Sequence, residues 1–234
     1  MKQYDLGVHL TKGERIAGFC YLPFYVFLVA WGLRLLSRLA GLDLSLAQIN
    51  LIYGYINFAA IVIIFHRFLA QSLKHIVHSF WPFVQALILG FALYYAVNLA
   101  LGLLLGWLWP GLENPADDTT IELVRSSGGV MLVCAVFLGP LVEETLMRGL
   151  IFGVIQPKNR IAAYAVSALM FAVLHLWQFA GSVSVGVFLG DILLYLPAGL
   201  ALAWTYEKAG TIWAPIVLHT FINALSLGAI QLLS

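Results

Sequence analysis

The chain has 234 residues and a mass of 25.8 kDa; 62% of its residues are apolar and only 10% are charged. Soluble chains carry about 45–50% apolar and about 25% charged residues, and a protein of this size cannot hide so much apolar surface from water. Lipid is therefore its main solvent, which excludes a soluble enzyme, a disordered tail and a secreted disulfide scaffold. Lys and Arg number 12 against 11 Asp and Glu, so no basic surface is available for nucleic acid.

A helix needs about 20 apolar residues to cross a bilayer. Such runs fall near 16–36, 49–66, 80–108, 129–156, 161–178, 185–206 and 211–231. They predict an all-α, multi-pass transmembrane helical bundle of about seven spans, since runs this long and continuous are not barrel strands. The N-terminus does not read as a cleavable signal peptide: Lys2, Asp5, Lys12, Glu14 and Arg15 precede an apolar run too long for one. Cys20 and Cys134 lie in apolar runs and read as small core residues.

Positive charge sets the orientation. With the N-terminus inside, Lys2, Lys12, Arg15, Arg67, Lys74, Lys158, Arg160 and Lys208 fall on the cytoplasmic side, and Arg34, Arg38 and Arg125 outside. The acidic loop around Glu113, Asp117, Asp118 and Glu122 fits the outer side. Between the second and third spans, Phe65, Phe68, Leu69, Leu73, Ile76, Val77 and Phe80 form one helical stripe, while His66, Arg67, Lys74, His75 and His78 line the other. This reads as an amphipathic helix on the cytoplasmic membrane surface, or as a basic continuation of the second span. Residues 1–128 thus form an N-terminal region with three spans and an interfacial helix. Residues 129–234 form a second region, in which the polar residues crowd.

Charge near the bilayer centre costs about 2.5–3.5 kcal/mol per residue on insertion scales. The fourth span nevertheless holds Glu143, Glu144 and Arg148, the fifth His175, the sixth Asp191, and the seventh His219 and Asn223. At a rise of 1.5 Å per residue, Glu143 and His175 lie roughly 20 Å from their cytoplasmic ends, and His219 and Asn223 roughly 12 and 18 Å. The fourth, fifth and seventh spans therefore bring polar groups to one layer. Glu144 and Arg148 are four apart on one face, with the acid N-terminal, and read as a self-neutralising structural pair. Glu143 points elsewhere and has no local partner. Phe171 shares a face with His175, and His219 shares one with Asn223. Pro140, Pro197 and Pro215 are expected to kink spans and to open a polar cavity. Asp191 belongs to no motif and is not read as catalytic.

Three of these segments resemble one family. Glu143-Glu144-Thr145-Leu146-Met147-Arg148 is similar to the Glu-Glu-x-x-x-Arg motif of the CAAX prenyl protease and bacteriocin-processing family (CPBP or Abi). Phe171-Ala172-Val173-Leu174-His175 resembles its Phe-x-x-x-His motif, and His219-Thr220-Phe221-Ile222-Asn223 its His-x-x-x-Asn/Asp motif. All three occur in order, each on its own span. The resemblance implies an intramembrane endopeptidase. In it Glu143 would activate water, His175 would help position that water, His219 and Asn223 would stabilise the oxyanion, and Glu144 and Arg148 would support the site. It also implies a lipid-embedded protein of the cell membrane acting on a peptide or membrane-anchored protein.

The residue types suit that chemistry, which needs a base, a water and donors aimed at the oxyanion. Zinc held by Glu143, His175 and His219 is the alternative, His₂Glu being a catalytic ligand set, although no His-Glu-x-x-His spacing argues for it. Two further classes remain open. One is a non-catalytic scaffold or immunity protein of the same fold. The other is a proton-coupled transporter, which the crowding of polar groups into one half of the chain disfavours.

Overall fold

The computed structural model describes residues 6–112 and 130–233 and, between them, residues 119, 121, 122, 124, 125 and 127. Lys2, Asp5, Glu113, Asp117 and Asp118, used above to orient the chain, lie outside the described residues. Among the described residues every regular element is a helix.

Helix α1, Lys12–Leu39, opens with a capping box. Thr11 Oγ1 accepts from the Glu14 N–H, and the Glu14 carboxylate accepts from the Thr11 N–H. A π-helical turn, Phe24–Leu28, follows Pro23. Helix α2, Leu46–Ile64, carries the same kind of box from Ser45 and Gln48. The chain breaks at Phe65 (φ −107°) and begins a separate helix α3, His66–His78. Helix α4 is Phe80–Leu108. Helix α5 covers 130–155 and changes winding along its length, with π-helical turns at Cys134–Leu138 and Thr145–Phe152. Helix α6 is Arg160–Leu176, extended by a 3₁₀ turn, Trp177–Phe179. Helix α7, Val185–Ala209, ends at Gly210 in the left-handed conformation (φ 67°), and α8 is Trp213–Leu233.

Among the described residues, five helices are long and apolar enough to cross a membrane: α1, α2, α4, α6 with its 3₁₀ turn, and α7. The other two expected spans are present as helices of a different kind. Helix α8 offers a shorter apolar stretch, Trp213–Gly228. Helix α5 is the centre of the molecule. Every residue of Thr145–Phe152 is buried, so its surroundings are protein and not lipid, and it can carry Glu143, Glu144 and Arg148. The outer helices show lipid-type faces in Phe24, Trp31, Ile63, Leu103 and Trp107, all exposed.

Close helix approach places the site. A Cβ on Gly199 of α7 would lie 2.8 Å from the Ala168 Cα of α6, so only glycine lets these backbones meet there. Gly54 of α2 faces Cys134 and Leu138, bringing α2 against the first π turn of α5.

The amphipathic stripe of 65–80 divides in two. Phe65, Phe68 and Leu69 are buried in the protein core, while Leu73, Val77 and Phe80 are exposed. The cause is a set of long-range bonds that fasten α3 to its neighbours. Glu14 Oε1 accepts from the Phe68 N–H (2.8 Å), Trp213 Nε1 donates to the Leu69 carbonyl (3.0 Å), and Thr211 Oγ1 donates to the Ser72 carbonyl (2.9 Å). Half of the expected membrane face is thus protein-facing. The break at Phe65 also shows that this segment is not a continuation of the second span.

Candidate active site

Glu143 sits between the two π turns of α5. At the first turn the Gly139 N–H reaches back five residues, to the Cys134 carbonyl. Pro140 has no N–H to give. The Ala135 carbonyl therefore loses its helical donors, and Asn223 Nδ2 of α8 donates to it instead at 2.7 Å. One N–H of the Asn223 amide remains for another acceptor. Gly139 also makes room for the acid, because a Cβ there would stand 3.3 Å from Glu143 Oε1 and 3.1 Å from the Cys134 carbonyl oxygen.

Glu143 Oε2 lies 3.6 Å from His175 Nε2 and 4.0 Å from His219 Nε2. It has no hydrogen-bond partner, although its atom is buried. Both imidazoles are held from behind. His175 Nδ1 donates to the Phe171 carbonyl at 2.9 Å, since a carbonyl can only accept. His219 Nδ1 donates to Glu144 Oε1 at 2.8 Å. In their neutral forms both rings thus turn an Nε2 lone pair toward Glu143. The Phe171 ring packs on His175 at 4.5 Å and against His219 at 5.6 Å; Tyr195 of α7 covers the other side of His175 at 5.0 Å.

Beneath this layer is a wholly buried ion pair. Arg148 Nη1 donates to Glu144 Oε1 at 2.9 Å, and Arg148 Nη2 donates to the Gly199 carbonyl at 2.9 Å. The guanidinium lies 4.6 Å from the centre of the Phe171 ring. Glu144 thus accepts from both Arg148 and His219. Side-chain exposure is 27% for His175, 19% for Glu143 and 6% for His219, so the site opens on the His175 side.

The structure therefore gathers Glu143, His175 and His219, with Glu144 and Arg148 behind them. Asn223 ties α8 to the turn that precedes Glu143. Asp191 is buried in α7. Among the described residues, no three His, Cys, Asp or Glu side chains gather closely enough to hold a metal ion. The sequence did not single out Tyr25 of α1 and Tyr53 of α2, whose rings stack at 5.9 Å, with the Tyr53 hydroxyl donating to the Tyr25 carbonyl at 2.8 Å. A tyrosine in an apolar run gives no sequence signal that separates it from other lipid-facing aromatics.

Residues 125–225 match the family described as type II CAAX prenyl endopeptidase Rce1-like. Over this stretch the chain is similar to the CPBP family. All six motif residues, Glu143, Glu144, Arg148, His175, His219 and Asn223, fall within the matched stretch. The chain is 30% identical over 114 residues to "Putative membrane peptidase YdiL" of Bacillus subtilis (strain 168), which covers 48% of this chain and 42% of that protein. It is 31% identical over 94 residues to "UPF0177 protein YxdF" of Lactococcus lactis subsp. lactis (strain IL1403), covering 40% of this chain and 46% of that protein. The chain thus spans less than half the length of these two curated relatives. No solved structure matches it. The apolar helices and this likeness support a membrane protein.

Proposed function

We propose that this chain is an intramembrane endopeptidase of the cell membrane in which Glu143 activates water. One observation carries the reading: a buried carboxylate oxygen without a bonded partner stands between two imidazole nitrogens, at 3.6 and 4.0 Å. A water there donates one proton to Glu143 and the other toward His175 Nε2, which orients its lone pair. Its oxygen adds to the scissile carbonyl carbon as Glu143 takes the proton. The developing oxyanion is met by the remaining Asn223 N–H, with His219 beside it, its ring held from behind by Glu144. When the C–N bond breaks, Glu143 returns its proton to the leaving amine. Glu144 and Arg148 hold His219 and take no part in the transfer. The substrate is a peptide or membrane-anchored protein that presents its bond on the His175 side.

Zinc is the second reading. It is favoured by the chemistry of the donor set, since Glu143 Oε2 and two Nε2 atoms are three acceptors facing one another. They do not stand in metal-binding geometry, so no step is assigned to it.

The test is cleavage of fluorogenic transmembrane and lipid-anchored peptides by the protein in liposomes. The wild type cleaves, and Glu143→Gln loses at least about 10²–10⁴-fold while remaining folded. Undiminished cleavage by that variant removes Glu143 as the base. If no peptide is cleaved and Glu143→Ala complements a deletion in cells, the scaffold reading replaces the enzymatic one. Cleavage that a chelator abolishes and zinc restores selects the metal reading.

A further inference from the structure

The three motif segments lie on α5, α6 and α8, and α7 carries none of them. It nevertheless reaches the site twice from one side. Tyr195 and Gly199 stand four residues apart on α7 and so share a face. The Gly199 carbonyl accepts from Arg148 Nη2 at 2.9 Å, and the Tyr195 ring lies 5.0 Å from the His175 imidazole with 32° between the planes. Phe171 lays a second ring on His175 at 4.5 Å.

Helix packing explains why the tyrosine meets the histidine. Residues 180–184 join the two helices, so α6 and α7 run antiparallel as neighbours. Their backbones meet where Gly199 faces Ala168. From that contact His175 lies seven residues along α6 and Tyr195 four residues back along α7, roughly 10 and 6 Å in the same direction. A helical side chain leans toward the N-terminus of its own helix. On antiparallel helices the two rings therefore lean toward each other and close the difference. Nearer its C-terminus α7 meets α4 as closely, since a Cβ on Gly90 would strike Thr205 Oγ1.

His175 needs such a contact. Its Nδ1 bond goes to the Phe171 carbonyl, four residues back on its own helix. Its Nε2 stands 3.6 Å from Glu143 Oε2, beyond hydrogen-bond length. With 27% of the side chain exposed, the ring has room to swing about that single bond. Tyr195 supplies a wall from another helix.

We propose that Tyr195 is a positioning residue for His175: its ring, set by the approach of Gly199 to Ala168, holds the imidazole in the rotamer that turns Nε2 toward the water beside Glu143. Helix α7 is then part of the site although it bears no motif residue. This rests on the reading of His175 as the group that orients the water.

Two measurements test it on the full chain in liposomes. Nitrogen NMR of protein labelled in its histidine rings, wild type minus His175→Gln, isolates the His175 ring without any substrate. It reports which nitrogen carries the proton and how freely the ring moves. Cleavage of a membrane peptide that the wild type cuts gives kcat and KM. The wild type should show one rigid ring with its proton on Nδ1. Tyr195→Leu removes the aromatic wall and keeps an apolar side chain. It should give a mobile ring with both tautomers and lower kcat about 10²-fold, the cost of a misplacement near 1 Å, with KM unchanged. Tyr195→Phe keeps the ring and should restore the rigid signal and kcat. Leu193→Ala, on the exposed side of α7, is the control and should change neither. Where Tyr195→Leu folds poorly, Tyr195→Met takes its place with the same expected result. A rigid ring protonated on Nδ1 in the variant that lacks the aromatic wall overturns the proposal, whatever kcat does. A Tyr195→Phe variant as mobile as Tyr195→Leu overturns it as well, because the hydroxyl and not the ring would then hold His175. If the ring loosens while kcat stays at the wild-type value, His175 does not orient the water, and the hold of Tyr195 on it stands.

Discussion

Arg148→Met removes the cation from the largest fully buried side chain among the described residues while keeping most of its bulk. Arg148 and Glu144 both have 0% side-chain exposure. The substitution strands the Glu144 carboxylate with His219 as its remaining partner, removes the donor to the Gly199 carbonyl and ends the contact with the Phe171 ring. Breaking a buried pair from one side costs about 3–5 kcal/mol, against a total stability of about 5–15 kcal/mol. The other two losses overlap with that figure and are not added to it. At about 2–4 °C per kcal/mol for a chain of this size, the midpoint of thermal unfolding should fall by roughly 6–20 °C. Adding Glu144→Gln removes the stranded charge, so the double variant should be more stable than Arg148→Met alone. Thermal unfolding in detergent micelles measures both. A single variant within about 1 kcal/mol of wild type, or a double variant less stable than the single, refutes the reasoning that Glu144 depends on Arg148 for its charge.

Three other changes separate positioning from chemistry. Asn223→Ala leaves the Ala135 carbonyl without its donor, a cost of about 1–3 kcal/mol in unfolding experiments, and should lower kcat by about 10²–10³ if the other N–H serves the oxyanion; a change in stability with unchanged kcat would confine Asn223 to holding the turn. Gly139→Ala places a methyl against Glu143 Oε1 and the Cys134 carbonyl, so cleavage should fall much more than the unfolding midpoint; wild-type cleavage would show that this rotamer of Glu143 is not the working one. Glu14→Ala removes the acceptor of the Phe68 N–H and of the Thr11 N–H and hydroxyl, and hydrogen exchange should speed up at the start of α3; unchanged protection there would show that other contacts hold it.

What the sequence made legible were groups too costly to leave in lipid by chance. Glu143, His175 and His219 stood out for that reason, and the Glu144–Arg148 spacing on one helix foretold their pair. Phe171 beside His175 was readable as a four-residue step. The unread parts depend on partners distant in the chain. Pro140 announced a kink, but that the orphaned Ala135 carbonyl would take its donor from Asn223, 88 residues away, follows only from the packing of α8 on α5. Glu14 looked like a flanking charge and is instead buried against α3, 54 residues on. That link turns Phe68 and Leu69 inward and divides a stripe that reads, in sequence, as a single lipid-facing surface. Tyr25 was hidden differently: its place depends on a one-residue change in helical winding at Phe24–Leu28, which apolar periodicity does not register.

The central claim is that a carboxylate and two imidazoles share one water. The most direct measurement is an experimental density map of the purified protein around Glu143 Oε2. The account predicts a single water oxygen within about 3 Å of that atom, also in contact with His175 Nε2. A Glu143 side chain turned to the lipid face, or a strong peak bound to both Nε2 atoms at the roughly 2.0–2.1 Å of zinc–nitrogen bonds, would contradict it.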